Sequence, residues 1–166
     1  GYGRLSTGTS NTDTASMSEW IPDREWKTIV QNVPIVSVDL LVRVGNGLLL
    51  GERVNNPAKW EWFIPGGRVY KGETRREAVS RVARYELGVS VEIIESLGAF
   101  EHIYDTAEID GVTSKHYLAS GYVTDPDSEQ FSIDEQHADL RVFETPPESL
   151  HPNIQAYLDA ADTVEI

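Results

Sequence analysis

Two carboxylates in this chain stand where an apolar side chain is expected, and a buried charge is the first place to look for chemistry. Asp39 interrupts the run Ile35 to Val42, which is otherwise apolar apart from Ser37. Glu86 lies four residues from Val82, three from Ala83 and seven from Val79, so a helix through this segment turns it toward the buried side. Left unpaired there, a carboxylate costs several kcal/mol. Two kinds of partner would relieve that cost. One is a nearby arginine, Arg68 or Arg81; the other is a hard cation, because Pro65-Gly66-Gly67 offers backbone carbonyls at close approach and oxygen donors suit such an ion. Cysteine is absent, which removes a disulfide framework, a thiolate zinc site and a cysteine nucleophile together. Carboxylates, histidines, hydroxyls and hard metals remain.

The other candidates have bland explanations that must be set beside the chemical ones. His137 stands among Asp134, Glu135 and Asp139, and from composition alone it is a surface-loop residue whose neighbours favour the protonated ring. His102 and His116 lie in strand-like segments, where half-buried histidines are commonly satisfied by hydrogen bonds. Trp60 and Trp62 can stack on a purine, and core or rim packing accounts for each equally well. Glu77 and Arg81 are one turn apart with the acid first, a helical pair worth about 0.2–0.5 kcal/mol when exposed that needs no function.

Positioning these groups requires a sheet and a few helices. Ile35 to Val42 reads as a strand buried on both faces, and Leu48 to Leu50 follows Gly45-Asn46-Gly47 as the second strand of a hairpin. Ala78, Val79, Val82, Ala83 and Glu86 recur at helical spacing and predict a helix from Glu73 to Leu87, stopped by Gly88. A short helix beginning at Pro22 carries Trp26, Ile29 and Val30. Further strands are predicted at Leu97 to Tyr104, His116 to Val123 and Leu140 to Phe143, and a closing helix at Pro152 to Ala161. Interleaved strands and helices without an internal repeat give an α/β domain with a mixed sheet over residues 17–166. Residues 1–16, rich in Gly, Ser, Thr and Asn, read as a disordered leader, with native coding from Met17.

Composition excludes several classes. With 27 Asp plus Glu against 14 Lys plus Arg the net charge is −13, which argues against a basic nucleic-acid surface. Repulsion on that scale is relieved by salt and suggests a salty, halophilic cytoplasm. No apolar run is long enough to span a membrane and no secretory leader is readable, so the expected location is cytoplasmic.

The segment Gly67-Arg68-Val69-Tyr70-Lys71-Gly72-Glu73, then Arg81, then Glu86-Leu87-Gly88-Val89, resembles the Nudix box. Two positions depart from its consensus: Val82 and Tyr85 stand where the family usually has glutamates. Both departures fit the GDP-mannose mannosyl hydrolase branch of the family, which the chain resembles from about Val33 to Leu158. The matching pieces run in order: Pro34 to Asp39, Leu48 to Arg53, Trp62 to Val69, His102 to Asp105, His116-Tyr117, and Asp134 to His137. The resemblance implies a Nudix-like α/β/α sandwich with a loop-helix-loop box. It also implies Mg2+-dependent hydrolysis (Mn2+ serving as well) of a nucleoside diphosphate sugar, with GDP-mannose the best single substrate. Water would attack the anomeric carbon and invert it.

Carried over by position, the resemblance places metal ligands on the Gly66 carbonyl, Glu86 and Gln136. It makes Arg53, Arg68 and Tyr117 leaving-group and substrate-binding residues, Asp39 the sugar-side acid, and His137 the general base. Magnesium keeps few protein ligands, so one carboxylate with neutral oxygens suffices when the substrate brings phosphates. A homodimer is implied as well, with Trp20 to Val30 as a candidate interface. Two other readings stand beside this one: a Nudix pyrophosphatase that cleaves a P–O–P bond of a sugar nucleotide or nucleoside triphosphate, and a non-catalytic nucleotide-binding module.

Overall fold

The apolar run that begins at Ile35 forms the strand on which the sheet is built. In the computed structural model, which describes residues 20–54, 59–132 and 137–166 with backbone alone at 137 and 138, the elements run in this order. They are α1 (Asp23–Asn32), β1 (Ile35–Val44), β2 (Gly47–Arg53), β3 (Trp62–Phe63), β4 (Gly66–Arg68), α2 (Arg75–Val82), β5 (Val91–Tyr104), β6 (Lys115–Pro126), β7 (His137–Phe143) and α3 (Pro152–Ala160). The predicted leader, residues 1–16, and the start at Met17 lie outside the described residues.

β1 pairs in parallel with β6, from Ile35↔Tyr117 to Val42↔Thr124, and antiparallel with the short β4 on its other side. β5 pairs antiparallel with β6, and β2 carries β3 and β7. The sheet is therefore mixed, as predicted. β1 is buried along both faces, and its alternation divides the core. Val38, Leu40 and Val42 pack under α2, with Ala78, Val79 and Val82. Ile35 and Leu41 face the opposite side, where α1 contributes Trp26 and Val30 and α3 contributes Ile154 and Tyr157. Helices cover both faces, which makes the fold an α/β/α sandwich.

The β1–β2 hairpin closes through Gly45-Asn46, with Gly45 at φ +57°, the left-handed first position that a type II′ turn requires. The box helix is shorter than predicted. Thr74 caps it, accepting from the Glu77 amide while the Glu77 carboxylate accepts from the Thr74 amide, so Glu73 lies before the helix. The C-terminal part, Ala83–Leu87, widens into a π-helical turn, and Gly88 at φ +72° ends it. The α1 stripe is turned inward: Trp26 and Val30 are core residues, which removes them from the predicted dimer interface and leaves Trp20 as its large exposed side chain. Among the described residues no helix is long and apolar enough to cross a membrane.

Candidate active site

Asp39 points from β1 into the face covered by α1 and α3, the same face as Ile35 and Leu41. It is fully buried. Tyr157 of α3 donates its hydroxyl to Oδ2 at 2.7 Å, and His102 Nδ1 stands 3.8 Å from the same oxygen. Burial pushes the Asp39 carboxyl up to about 7, against the opposing pull of the Tyr157 hydrogen bond and the Arg53 charge. His102 goes the other way, down to about 4, through burial and the neighbouring His151. His151 is likewise lowered to about 4, by burial and then by Arg53. The group is knit by ring contacts: Tyr104 lies 5.4 Å from His151 and 6.1 Å from Tyr117, and Asn153 donates to the Tyr104 hydroxyl at 3.2 Å. The tight approach of α3 to β6 depends on Gly121, because a Cβ there would lie 2.4 Å from Tyr157 Cε1.

Arg53, at the end of β2, is buried and stacks over Phe63 at 5.8 Å. Its charge reaches Asp39, Tyr104, Tyr117, His151 and Lys115, each of whose proton affinities it shifts. Tyr117 is fully buried on β6 and its hydroxyl is raised well above its usual value, first by burial. Arg68, also buried, lies over Tyr70 at 4.4 Å and over Trp26 at 5.6 Å. Of the predicted site residues, Asp39, Arg53 and Tyr117 thus share one buried cluster, and Arg68 adjoins it through Trp26.

The box segment divides into clamp and candidate ligands. Arg81 meets Glu73 at 2.8 and 3.0 Å, donates to the Arg68 carbonyl at 2.7 Å and covers the Tyr70 ring at 3.6 Å. The predicted Glu77–Arg81 pair is not formed, because Glu77 is engaged at the helix cap while Arg81 reaches back to the loop. Arg81 is equally drawn away from Glu86. Glu86 is buried, on the π-helical turn. Gly66 pairs with Asp39, and the bonds Leu40 N–H to Pro65 and Val69 N–H to Val36 fix the phase of this ladder. Asp39 and Gly66 are therefore a non-hydrogen-bonded pair, with the Gly66 carbonyl turned away from β1.

Among the described residues no three His, Asp or Glu side chains converge as a metal cluster. Of the ligands expected for a cation, the structure describes Glu86, buried on the π-helical turn, and Gly66, whose carbonyl points away from β1; one carboxylate with neutral oxygens is a donor type suited to Mg2+ when phosphates complete it. Gln136 lies outside the described residues. His137 is described by its backbone, which pairs with Arg53 across β2 and β7.

His102, His151, Tyr157 and Lys115 join this cluster although their sequence positions alone did not select them. For His102 a signal was present: it shares strand parity with Tyr104, and the odd–even alternation of β5 carries both inward. Trp62 is buried edge-on to Phe143, so of the two tryptophans it is core, whereas Trp60 is exposed.

This sandwich, with a glycine strand leading through a Glu–Arg clamp into a capped helix, is the architecture of the Nudix proteins. The NUDIX domain model matches residues 33–163, and the chain belongs to this family. The chain is similar to the low-salt glycan biosynthesis protein Agl8 of Haloferax volcanii, 54% identical over 142 residues that cover 86% of this chain and 91% of that protein. It is 40% identical to an ADP-ribose pyrophosphatase of Methanocaldococcus jannaschii over 67 residues, 40% of each chain. Among solved structures, a MutT NUDIX hydrolase from Burkholderia pseudomallei superposes with a TM-score of 0.65 at 25% identity, covering 76% of this chain and 97% of that one.

Proposed function

We propose that this Nudix hydrolase cleaves a nucleoside diphosphate sugar, GDP-mannose foremost, by displacing GDP from the anomeric carbon with water and inversion. The observation that carries the reading is the buried cluster in which Asp39, Arg53 and Tyr117 meet, set beside a box whose Val82 is buried in the core and whose Tyr85 is 54% exposed. With apolar and aromatic side chains at those positions, the box is poor in the carboxylates that multi-metal attack on phosphorus would use. A sugar's anomeric carbon shares positive charge with its ring oxygen, so the protein's work shifts to the leaving group. Arg53, Arg68 and Tyr117 bind the diphosphate and meet the charge that grows on its terminal oxygen. Mg2+, held by Glu86, Gln136 and the Gly66 carbonyl, supplies a further positive charge to the same phosphates when bound. Asp39 sits on the sugar side. His137 takes the proton of the attacking water.

The glycan-biosynthesis name of the Haloferax relative agrees with a sugar-nucleotide substrate, and its source with salt adaptation; a cytoplasmic location and a homodimer belong to the proposal. Turnover of GDP-mannose in heavy-oxygen water tests the mechanism. The label is expected in mannose, released first as the inverted anomer, and not in GDP. Label in a phosphate, or formation of GMP and mannose phosphate, would overturn attack at carbon in favour of the pyrophosphatase reading. Absence of turnover with any sugar nucleotide at high salt would favour a binding module.

A further inference from the structure

Of the four lysines, Lys115 alone is buried, at 1% exposed. Its ammonium donates to Glu108 Oε1 at 2.6 Å, and it faces the rings of Tyr117 at 5.1 Å and Trp26 at 5.6 Å. An ammonium carries three N–H donors, and among the described residues Glu108 supplies its hydrogen-bond acceptor. A lysine buried with one carboxylate and two aromatic faces is an expensive structural device, since an ion pair of this kind is often matched in stability by apolar side chains. Its surroundings suggest a use. Trp26 also bears Arg68 at 5.6 Å, Tyr117 lies in the cluster with Arg53, and Arg53 stands close enough to oppose the protonation of Lys115. Three buried cations thus stand about one tyrosine and one tryptophan, a concentration of positive charge suited to a polyanion.

We propose that Lys115 is a third cationic contact for the substrate's diphosphate, beside Arg53 and Arg68, and that Glu108 holds it in place while the site is empty. Glu108 is suited to that part: it lies on the connection between β5 and β6, with its side chain 29% exposed. The proposal rests on the reading of this cluster as a nucleoside diphosphate site. It goes beyond that reading by assigning a residue that neither the Nudix box nor the residues flanking it contain.

Binding of GDP, inorganic pyrophosphate and guanosine to the full chain, measured by calorimetry with Mg2+ in molar KCl, tests it. Lys115→Met is expected to weaken GDP and pyrophosphate about 10- to 100-fold, the loss of one charge-assisted hydrogen bond, and to leave guanosine unchanged. Its melting temperature is expected to hold or rise, because an apolar side chain replaces half of a buried pair whose other half reaches solvent. Glu108→Gln provides a second measurement should Lys115→Met fold poorly. It leaves the ammonium without a counter-charge, so the free protein melts lower and GDP raises its melting temperature more than it does the wild type's.

Wild-type affinity for GDP and pyrophosphate in Lys115→Met would overturn the proposal alone, as would an equal GDP-induced rise in Glu108→Gln and wild type. A wild type that binds neither GDP nor pyrophosphate would overturn the diphosphate reading and this proposal together.

Discussion

Replacing Tyr157 by phenylalanine removes one oxygen and keeps the ring that packs edge-on against Phe100 at 4.7 Å and closes over Gly121. The bond lost is the 2.7 Å donation to Asp39 Oδ2, in a fully buried setting where Asp39 titrates at about 7. Well above that value Asp39 is ionised, the bond is charge-assisted, and its loss costs about 1.5–3 kcal/mol. Well below it Asp39 carries a proton, the bond is between neutral groups, and its loss costs about 0.5–1.5 kcal/mol. The variant should therefore be more destabilised at about pH 8.5 than at about pH 5.5, by roughly 1 kcal/mol, which places its Asp39 almost one pH unit higher still. In a domain of this size that difference is about 2–4 °C in melting temperature. Thermal unfolding followed by circular dichroism in molar KCl at both pH values measures it. Equal losses at the two pH values would refute the reasoning, since Asp39 would then keep the same charge throughout.

The two buried imidazoles set a second pH dependence. His102 and His151 are lowered to about 4 from 6.5, so their contribution to stability is complete above 6.5 and is lost as pH falls toward 4, while Asp39, raised from 3.8 to about 7, contributes in the opposite sense and loses its share as pH rises. Near pH 5 the unfolded chain then binds almost one net proton more, and stability should climb there by about 1 kcal/mol per pH unit or less, levelling off toward pH 6.5 where the unfolded imidazoles lose their protons; His102→Gln should flatten that slope, and an unchanged slope would count against it. Glu73→Gln breaks the clamp on Arg81 and should cost about 2–4 kcal/mol, whereas Glu77→Gln should cost about 1 or less; equal costs in denaturant titrations would contradict the clamp. Glu86→Gln should abolish Mg2+-dependent turnover with the fold intact, and undiminished Mg2+ affinity by calorimetry would make Glu86 a structural residue. Melting temperature should rise between about 0.1 M and molar KCl, and a flat or falling curve would refute the halophilic reading.

The parts of the fold that were legible are those where one local pattern has one solution. The Ile35 run could be buried on both faces only in the centre of a sheet, and Gly45-Asn46 could close only a tight hairpin. The box helix was legible in type and not in detail. Spacing cannot foresee that Thr74 and Glu77 satisfy each other at the N-terminus, nor that Arg81, with its favoured i−4 partner thus occupied, turns eight residues back to Glu73. The site divides in the same way. Asp39 and Glu86 declared themselves as charges in apolar company, but Tyr157 and Lys115 are ordinary residues in their own segments. Their meaning comes from contacts 118 residues apart for Tyr157 with Asp39, and from the shared ring of Trp26 for Lys115 with Arg68.

The acidity of the chain and the chemistry proposed for it bear on each other. A surface that carries most of 27 acids repels an anionic nucleotide sugar. Against that background three cations, Arg53, Arg68 and Lys115, are buried at 2%, 7% and 1% exposure. Salt screens exposed charges at a few ångströms and buried ones much less. A concentrated electrolyte therefore quiets the acidic surface while leaving the attraction proposed between these buried cations and a diphosphate largely in place. On the proposed chemistry the same separation would make a box with few carboxylates no handicap: added acids beside Glu86 would need more cations to hold them, and would oppose the anion that Arg53, Arg68 and Lys115 are proposed to receive.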